Sequence, residues 1–139
     1  MPATSLPPRP PEDQRRFEAA LREVFEERIA FNRVLGFTIE SFDPAEPRVR
    51  FAMRPELVGH FLFGRLHGGV TSAVLDATAG FALMCALADK HRDEPPEQIM
   101  HRFGARITRL GGRIGSTQMT LKNEAGLLIA TGSASYVLS

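Results

Sequence analysis

The sequence predicts an α+β protein in which an antiparallel sheet wraps around one central buried helix, with an additional helix at the N-terminus. Three observations carry this expectation. Residues Val70 to Ala88, VTSAVLDATAGFALMCALA, are apolar or small on every side, so a helix there has to be buried all round rather than lie on a surface. The segments from Phe37 to Met53 and from Phe103 to Leu138 alternate apolar and polar residues with the period of two that marks half-buried strands. Ahead of both, Phe17, Leu21, Val24, Phe25 and Ile29 recur at helical spacing.

The size fits this plan. With 139 residues, 43% hydrophobic and 24% charged, the chain is long enough for one core but not for two. Residues 1–11 hold five prolines and no periodicity and are expected to form a flexible lead-in, with 12–139 as the single domain. A net charge of +1 argues against a nucleic-acid partner. No apolar leader stands at the start, and Asp76 with neighbouring Thr and Ser residues interrupts the longest apolar run. A cytoplasmic protein without a membrane partner is therefore expected. The lone Cys85 excludes an internal disulfide and a multi-cysteine zinc site, and reads most simply as a small core residue.

Taken in order, the first helix runs from Glu12 to near Gly36, with Glu12/Arg16, Glu18/Arg22 and Arg22/Glu26 as charge pairs along its outer faces. A hairpin follows. Phe37, Ile39, Val49, Phe51 and Met53 supply its apolar side, Arg48, Arg50 and Arg54 its solvated one, and Pro44 to Pro47 its turn. A loop from Pro55 to Leu66 carries Phe61, Leu62 and Phe63 without periodicity. After the central helix and a charged break, strands are expected at 102–109, at Ile114 to Leu121 and at Leu127 to Leu138, with turns at Gly111-Gly112 and Asn123 to Gly126. In the last strand Leu128, Ala130, Gly132, Ala134, Tyr136 and Leu138 share a face, and its small residues suit close approach to a helix.

Chemistry concentrates at Leu66-His67-Gly68-Gly69. Two glycines let a ligand come close to the backbone. They also open a helix, whose first amide N–H groups lack intrahelical acceptors and sit at the positive end of the dipole, where an anion or a developing oxyanion is stabilised. Asp76 lies within the apolar helix, where a carboxylate has to be hydrogen-bonded, metal-bound, shifted in its titration or open to a cavity. It follows Gly68 by eight residues, which places the two within about 80° around the helix, available to one site or to a pair of sites across a dimer. Thr71, Ser72 and Thr78 are candidate hydroxyl donors to that carboxylate. His67 is a candidate base whose commoner alternative, at a helix start, is a bond to the backbone.

The strings RLHGGVTSAVLDATAGFALM and LKNEAGLLIATGSASYVL resemble the hotdog-fold acyl-CoA thioesterases of the PaaI-like group, nearest to their YigI-like medium- and long-chain members. The resemblance runs from about Phe31 to the C-terminus and rests on an HGG motif with an acid nine residues after its His, as Asp76 follows His67. It implies a hotdog fold, a homodimer or dimer of dimers, and hydrolysis of acyl-CoA to a free acid and coenzyme A with no bound cofactor or metal. It also implies that the Gly68 N–H polarises the thioester carbonyl beside Gly69, and that Asp76 of the opposite subunit serves as general base or nucleophile. Where the family carries an Asn that positions water, the segment Val58-Gly59-His60-Phe61 presents His60.

Arg102, Arg106, Arg109, Arg113 and Lys122 form an acid-free run suited to the phosphates of coenzyme A, and Arg113, after Gly111-Gly112, is the preferred contact. Two alternatives stand beside the enzyme: a non-catalytic acyl-CoA or acyl-chain binding protein on the same fold, and an interaction module without a ligand.

Overall fold

The computed structural model of the chain describes residues 7–99 and 113–138. Helix α1, Pro11–Arg22, starts with proline at its first position and Glu12 and Asp13 in its first turn, where a missing N–H is harmless and negative charge meets the helix dipole. The helix does not run unbroken to Gly36. Glu23–Arg28 widens into a π-helical turn, Ile29 is extended, and α2, Ala30–Leu35, begins afresh.

Hydrogen bonding accounts for the break. The Ile29 N–H donates to Val24 O at 3.1 Å, one residue further back than in an α-helix, which leaves Phe25 O in need of a donor. Buried Asn32 supplies it through Nδ2 at 2.9 Å. The carboxylate of Glu26 meanwhile pairs with Arg22 at 2.5 Å and accepts the Ile39 N–H at 2.7 Å, tying the bulged helix to the first strand. Of the other expected pairs, Arg16 joins Asp13 and Glu97 instead of Glu12. The described part of the proline-rich lead-in is also anchored: the Arg9 guanidinium lies 4.9 Å from the centroid of Phe17 and donates to Ala88 O at 2.8 Å.

Gly36 closes α2 in the left-handed region at φ 68°, with the Phe37 N–H returning to Asn32 O at 3.1 Å. The expected hairpin follows as β1, Thr38–Ser41, and β2, Arg48–Arg50, with Ile39 opposite Val49. Met53 lies beyond the last paired residue and is exposed rather than on the apolar face. After a short 3₁₀ turn, β3, Val58–His60, and β4, Arg65–Leu66, form a second small hairpin that presents Phe61, Leu62 and Phe63 to solvent.

Helix α3, Gly68–Lys90, is the centre of the molecule. Phe81, Met84 and Cys85 pack it against Phe17, Leu21, Phe25 and Phe37, and Leu75 and Ala79 against Met119. Its length and apolarity would suffice to cross a membrane, yet its large side chains are occupied by this protein core. Burial on every side is not what is observed: Gly68, Gly69, Ser72 and Asp76 form an exposed stripe. Among the described residues, the layers on two sides of α3 leave the N-terminal part of a third side exposed.

The hairpin of β5, Arg113–Lys122, and β6, Leu128–Leu138, is antiparallel throughout. Gly132 meets the helix as its size suggests: a Cβ there would come within 3.2 Å of Leu75 Cδ1. Ala130 and Ala134 pack on the same cluster, but Leu128 does not. The register slips between Leu121/Ala130 and Lys122/Leu128, so Ile129 is an extra residue and the strand end turns Leu128 outward. At the turn, Asn123 Oδ1 accepts the N–H groups of Ala125 and Leu127 at 3.1 and 2.9 Å, and Gly126 takes φ 78°. The strand expected at 102–109, the Gly111-Gly112 turn and Arg102, Arg106 and Arg109 lie outside the described residues. Among those described, the strands form three two-stranded ribbons.

Candidate active site at the start of the central helix

The β3–β4 hairpin positions the start of α3. Leu57 O accepts the His67 N–H at 2.9 Å, and the pairing of Val58 with Leu66 brings β3 alongside the residues that lead into the helix. Gly59 then passes so close that a Cβ on it would lie 2.5 Å from His67 Cα, a distance only glycine permits. Gly59 was not among the residues singled out from the sequence; an isolated glycine within an otherwise strand-like stretch is the signal that marks it.

His67 is the N-cap of α3. Its Nδ1 accepts the Gly69 N–H at 2.8 Å, and a Cβ on Gly69 would fall 2.9 Å from that nitrogen. Of the two sequence candidates for an oxyanion donor, the Gly69 amide is thus taken by the cap. The Gly68 N–H belongs to the first turn, where helix geometry offers no acceptor, and Gly68 is exposed. Around Gly68 itself a Cβ would meet nothing within 4 Å. Packing among the described residues gives no reason for glycine at this position.

Asp76 is exposed on the same side of α3 rather than buried among apolar neighbours. The expected hydroxyl donors are engaged with the helix backbone: Thr71 Oγ1 donates to His67 O at 3.5 Å, Ser72 Oγ to Gly68 O at 3.1 Å and Thr78 Oγ1 to Val74 O at 2.7 Å. His60, at the end of β3, is exposed, with its imidazole near-parallel to the Phe61 ring at 6.1 Å and tilted by 34° against Phe63 at 4.9 Å between centroids. Arg113 opens β5 opposite Leu138, and its side chain lies outside those described.

Neither of two cavities among the described residues is lined by His67, Gly68 or Asp76. One of about 520 Å³ lies between β2, α3 and β5, where Val49, Phe51, Val74 and Met119 are on its wall. Another of about 380 Å³ surrounds Arg9, Phe17, Cys85 and Arg92. Burial, reinforced by Glu18 and Asp43, pushes the Cys85 thiol up to about 12, so the only cysteine is no nucleophile at neutral pH. Among the described residues no group of three His, Cys, Asp or Glu side chains could hold a metal ion.

Chemically, the surface offers a polarising amide and a carboxylate on one face of one helix. They do not converge within a chain: eight residues of α-helix separate them by about 12 Å along the axis, whereas reacting groups have to approach within about 3 to 3.5 Å.

No protein-family model matches the chain. Among curated proteins it is 27% identical to the medium/long-chain acyl-CoA thioesterase YigI of Salmonella typhimurium and 26% identical to that of Escherichia coli K12. Each alignment covers 84% of this chain and 90% of the relative. Among solved structures, a Shewanella oneidensis protein related to the thioesterase superfamily superposes with a TM-score of 0.78. It is 28% identical, with 93% of this chain and 99% of that one covered. A Syntrophus aciditrophicus protein proposed to be a thioesterase gives 0.73, also at 28% identity, with 92% and 99% covered.

Proposed function

We propose that this chain, which shares the hotdog fold of the thioesterase superfamily, hydrolyses acyl-CoA thioesters to a free acid and coenzyme A. The observation that carries the reading is the opening of α3: a glycine amide at the positive end of a 23-residue helix, with an acid two turns on along the same open face. In this mechanism the Gly68 N–H receives the thioester carbonyl oxygen and stabilises the negative charge it gains as the carbon becomes tetrahedral. Asp76 takes the proton from an attacking water and passes it to the departing sulfur, so that coenzyme A leaves as the thiol. On the alternative route Asp76 attacks directly, coenzyme A leaves as the thiolate, and water then hydrolyses the acyl-aspartyl anhydride to release the free acid. Open space around Gly68 fits a substrate approaching there. The helix capped by His67 and held by Gly59 keeps the amide in place. A panel of acyl-CoA esters from short to long chains, read by release of free thiol, tests the activity. Binding of acyl-CoA without thiol release would favour a non-catalytic carrier on the same fold.

The separation of about 12 Å between amide and carboxylate along one helix requires Gly68 of one copy to work with Asp76 of another, across the exposed face of α3. The expected assembly is a homodimer or a dimer of dimers. Sedimentation at micromolar concentration is expected to show a dimer or larger species, and a well-folded, active monomer would exclude the shared site.

Arg113 is proposed as a contact for the phosphates of coenzyme A, from its place at the start of β5 in a basic stretch of sequence. Arg113→Ala is expected to raise KM for acyl-CoA with little change in kcat, by an amount that shrinks at high salt. An N-acetylcysteamine thioester, which lacks those phosphates, is expected to be indifferent to the substitution. Equal losses on both substrates would assign Arg113 a structural role.

A further inference from the structure

We infer that His67 is a positioning residue held between two glycines, Gly59 and Gly69, and that its Nδ1, as the helix cap, sets the direction of the Gly68 N–H instead of moving a proton. The inference rests on the thioesterase reading and specifies how its oxyanion donor is held. Three observations support it. His67 Nδ1 accepts the Gly69 N–H at 2.8 Å, so the Nδ1 lone pair is occupied, a geometry that assigns the ring proton of the neutral imidazole to Nε2. A Cβ on Gly69 would lie 2.9 Å from that nitrogen, and one on Gly59 would lie 2.5 Å from His67 Cα and 2.9 Å from its Cβ. Both glycines are therefore explained by the histidine, whereas a Cβ on Gly68, which lies between the cap and its donor in sequence, would meet no described residue within 4 Å beyond its own helix turn.

The geometry has a mechanical consequence. The peptide plane carrying the Gly68 N–H joins His67 to Gly68: its carbonyl, His67 O, accepts the Thr71 N–H at 3.1 Å, His67 is fixed through its own N–H to Leu57 O at 2.9 Å, and the next plane, at Gly69, is fixed through the cap. With both neighbours held, an amide beside flexible glycines has one direction available to it. Without the cap this first turn, with its two glycines, is held only through its carbonyl-side helix bonds and frays more readily, so the donor is less firmly aimed before the substrate arrives.

An asparagine side chain places Oδ1 close to where His67 places Nδ1 and is among the preferred N-cap residues, yet it cannot transfer a proton at neutral pH. His67→Asn is therefore expected to keep kcat within about threefold of wild type, whereas His67→Ala is expected to lower kcat by about 10- to 100-fold with KM little changed, as for a misaimed group. Gly59→Ala, which forces His67 to move, is expected to follow the alanine variant. All are compared as folded proteins by thermal melting. A loss in His67→Asn as deep as in His67→Ala would assign proton transfer or substrate contact to the imidazole and overturn the inference, as would full activity in His67→Ala. Nitrogen NMR of His67 gives a reading that needs no turnover. An unprotonated Nδ1, with a Gly69 amide resonance displaced in His67→Ala and restored in His67→Asn, supports the cap; a proton on Nδ1 overturns it. A wild-type protein that hydrolyses no acyl-CoA but shows this NMR pattern would refute the thioesterase reading alone, leaving the cap in place as structure.

Discussion

Asp76→Asn is expected to lower kcat for acyl-CoA by about 10² to 10⁴, with a modest change in KM. Asparagine keeps the size of the side chain and much of its hydrogen-bonding capacity but can neither accept a proton from water nor attack the thioester. The loss should therefore fall on the chemical step rather than on binding. Asp76 is exposed in the single chain, so its substitution opens no cavity in that chain's core, and thermal melting separates a loss of chemistry from a loss of folding. A collapse of turnover in a variant that melts like the wild type would thus report chemistry and not unfolding. Near-wild-type turnover would overturn the role given to this carboxylate, and with it the pairing of one copy's acid with another copy's amide.

The largest expected loss of stability is at Phe81, not in the candidate site. Phe81 is fully buried on α3, and its ring meets Phe25 at 5.5 Å and Phe42 at 5.7 Å between centroids, edge-on in both cases at 70° and 69°. It thereby joins the bulged N-terminal helix, the first hairpin region and the central helix in one contact. Phe81→Ala removes that area and both ring pairs, and the bulged helix, already tied through Asn32 and Glu26, has little room to collapse into the space. A loss of about 3 to 5 kcal/mol is expected, lowering Tm by on the order of 10 °C or more. Chemical denaturation with and without the substitution measures it. A change below about 1 kcal/mol would show that the core on this side of α3 is loosely packed.

Much of the fold was legible because it follows from local patterns. The run from Val70 to Ala88 could only be a helix at the centre, Gly36 and Asn123 to Gly126 end their elements with the backbone conformations their residue types favour, and small residues along β6 mark where it touches that helix. The position of the candidate site was legible for the same reason, since Gly-Gly at a helix start and an acid eight residues later are fixed in relation to one another by helix geometry alone. The relatives agree with the motif resemblance on the fold and on a thioesterase character, not on individual residues.

What depended on neighbours in space was not. Periodicity carries the helix through Ile29 without interruption, because the π-helical turn depends on Asn32 reaching back to Phe25 O and on Glu26 meeting the β1 backbone. Apolar composition implies burial on all sides of α3, but the described layers cover it only in part, leaving Gly68, Ser72 and Asp76 open. The strand register near Ile129 turns Leu128 away from the face that simple alternation gives it. Residue types and spacing by themselves determined which elements form and where a polarising amide and an acid lie along one helix. Only the tertiary structure decided that Gly59 packs against His67 and that the acid faces outward. Each of these depends on how closely separate backbone segments approach, and a pattern along one chain does not encode that distance.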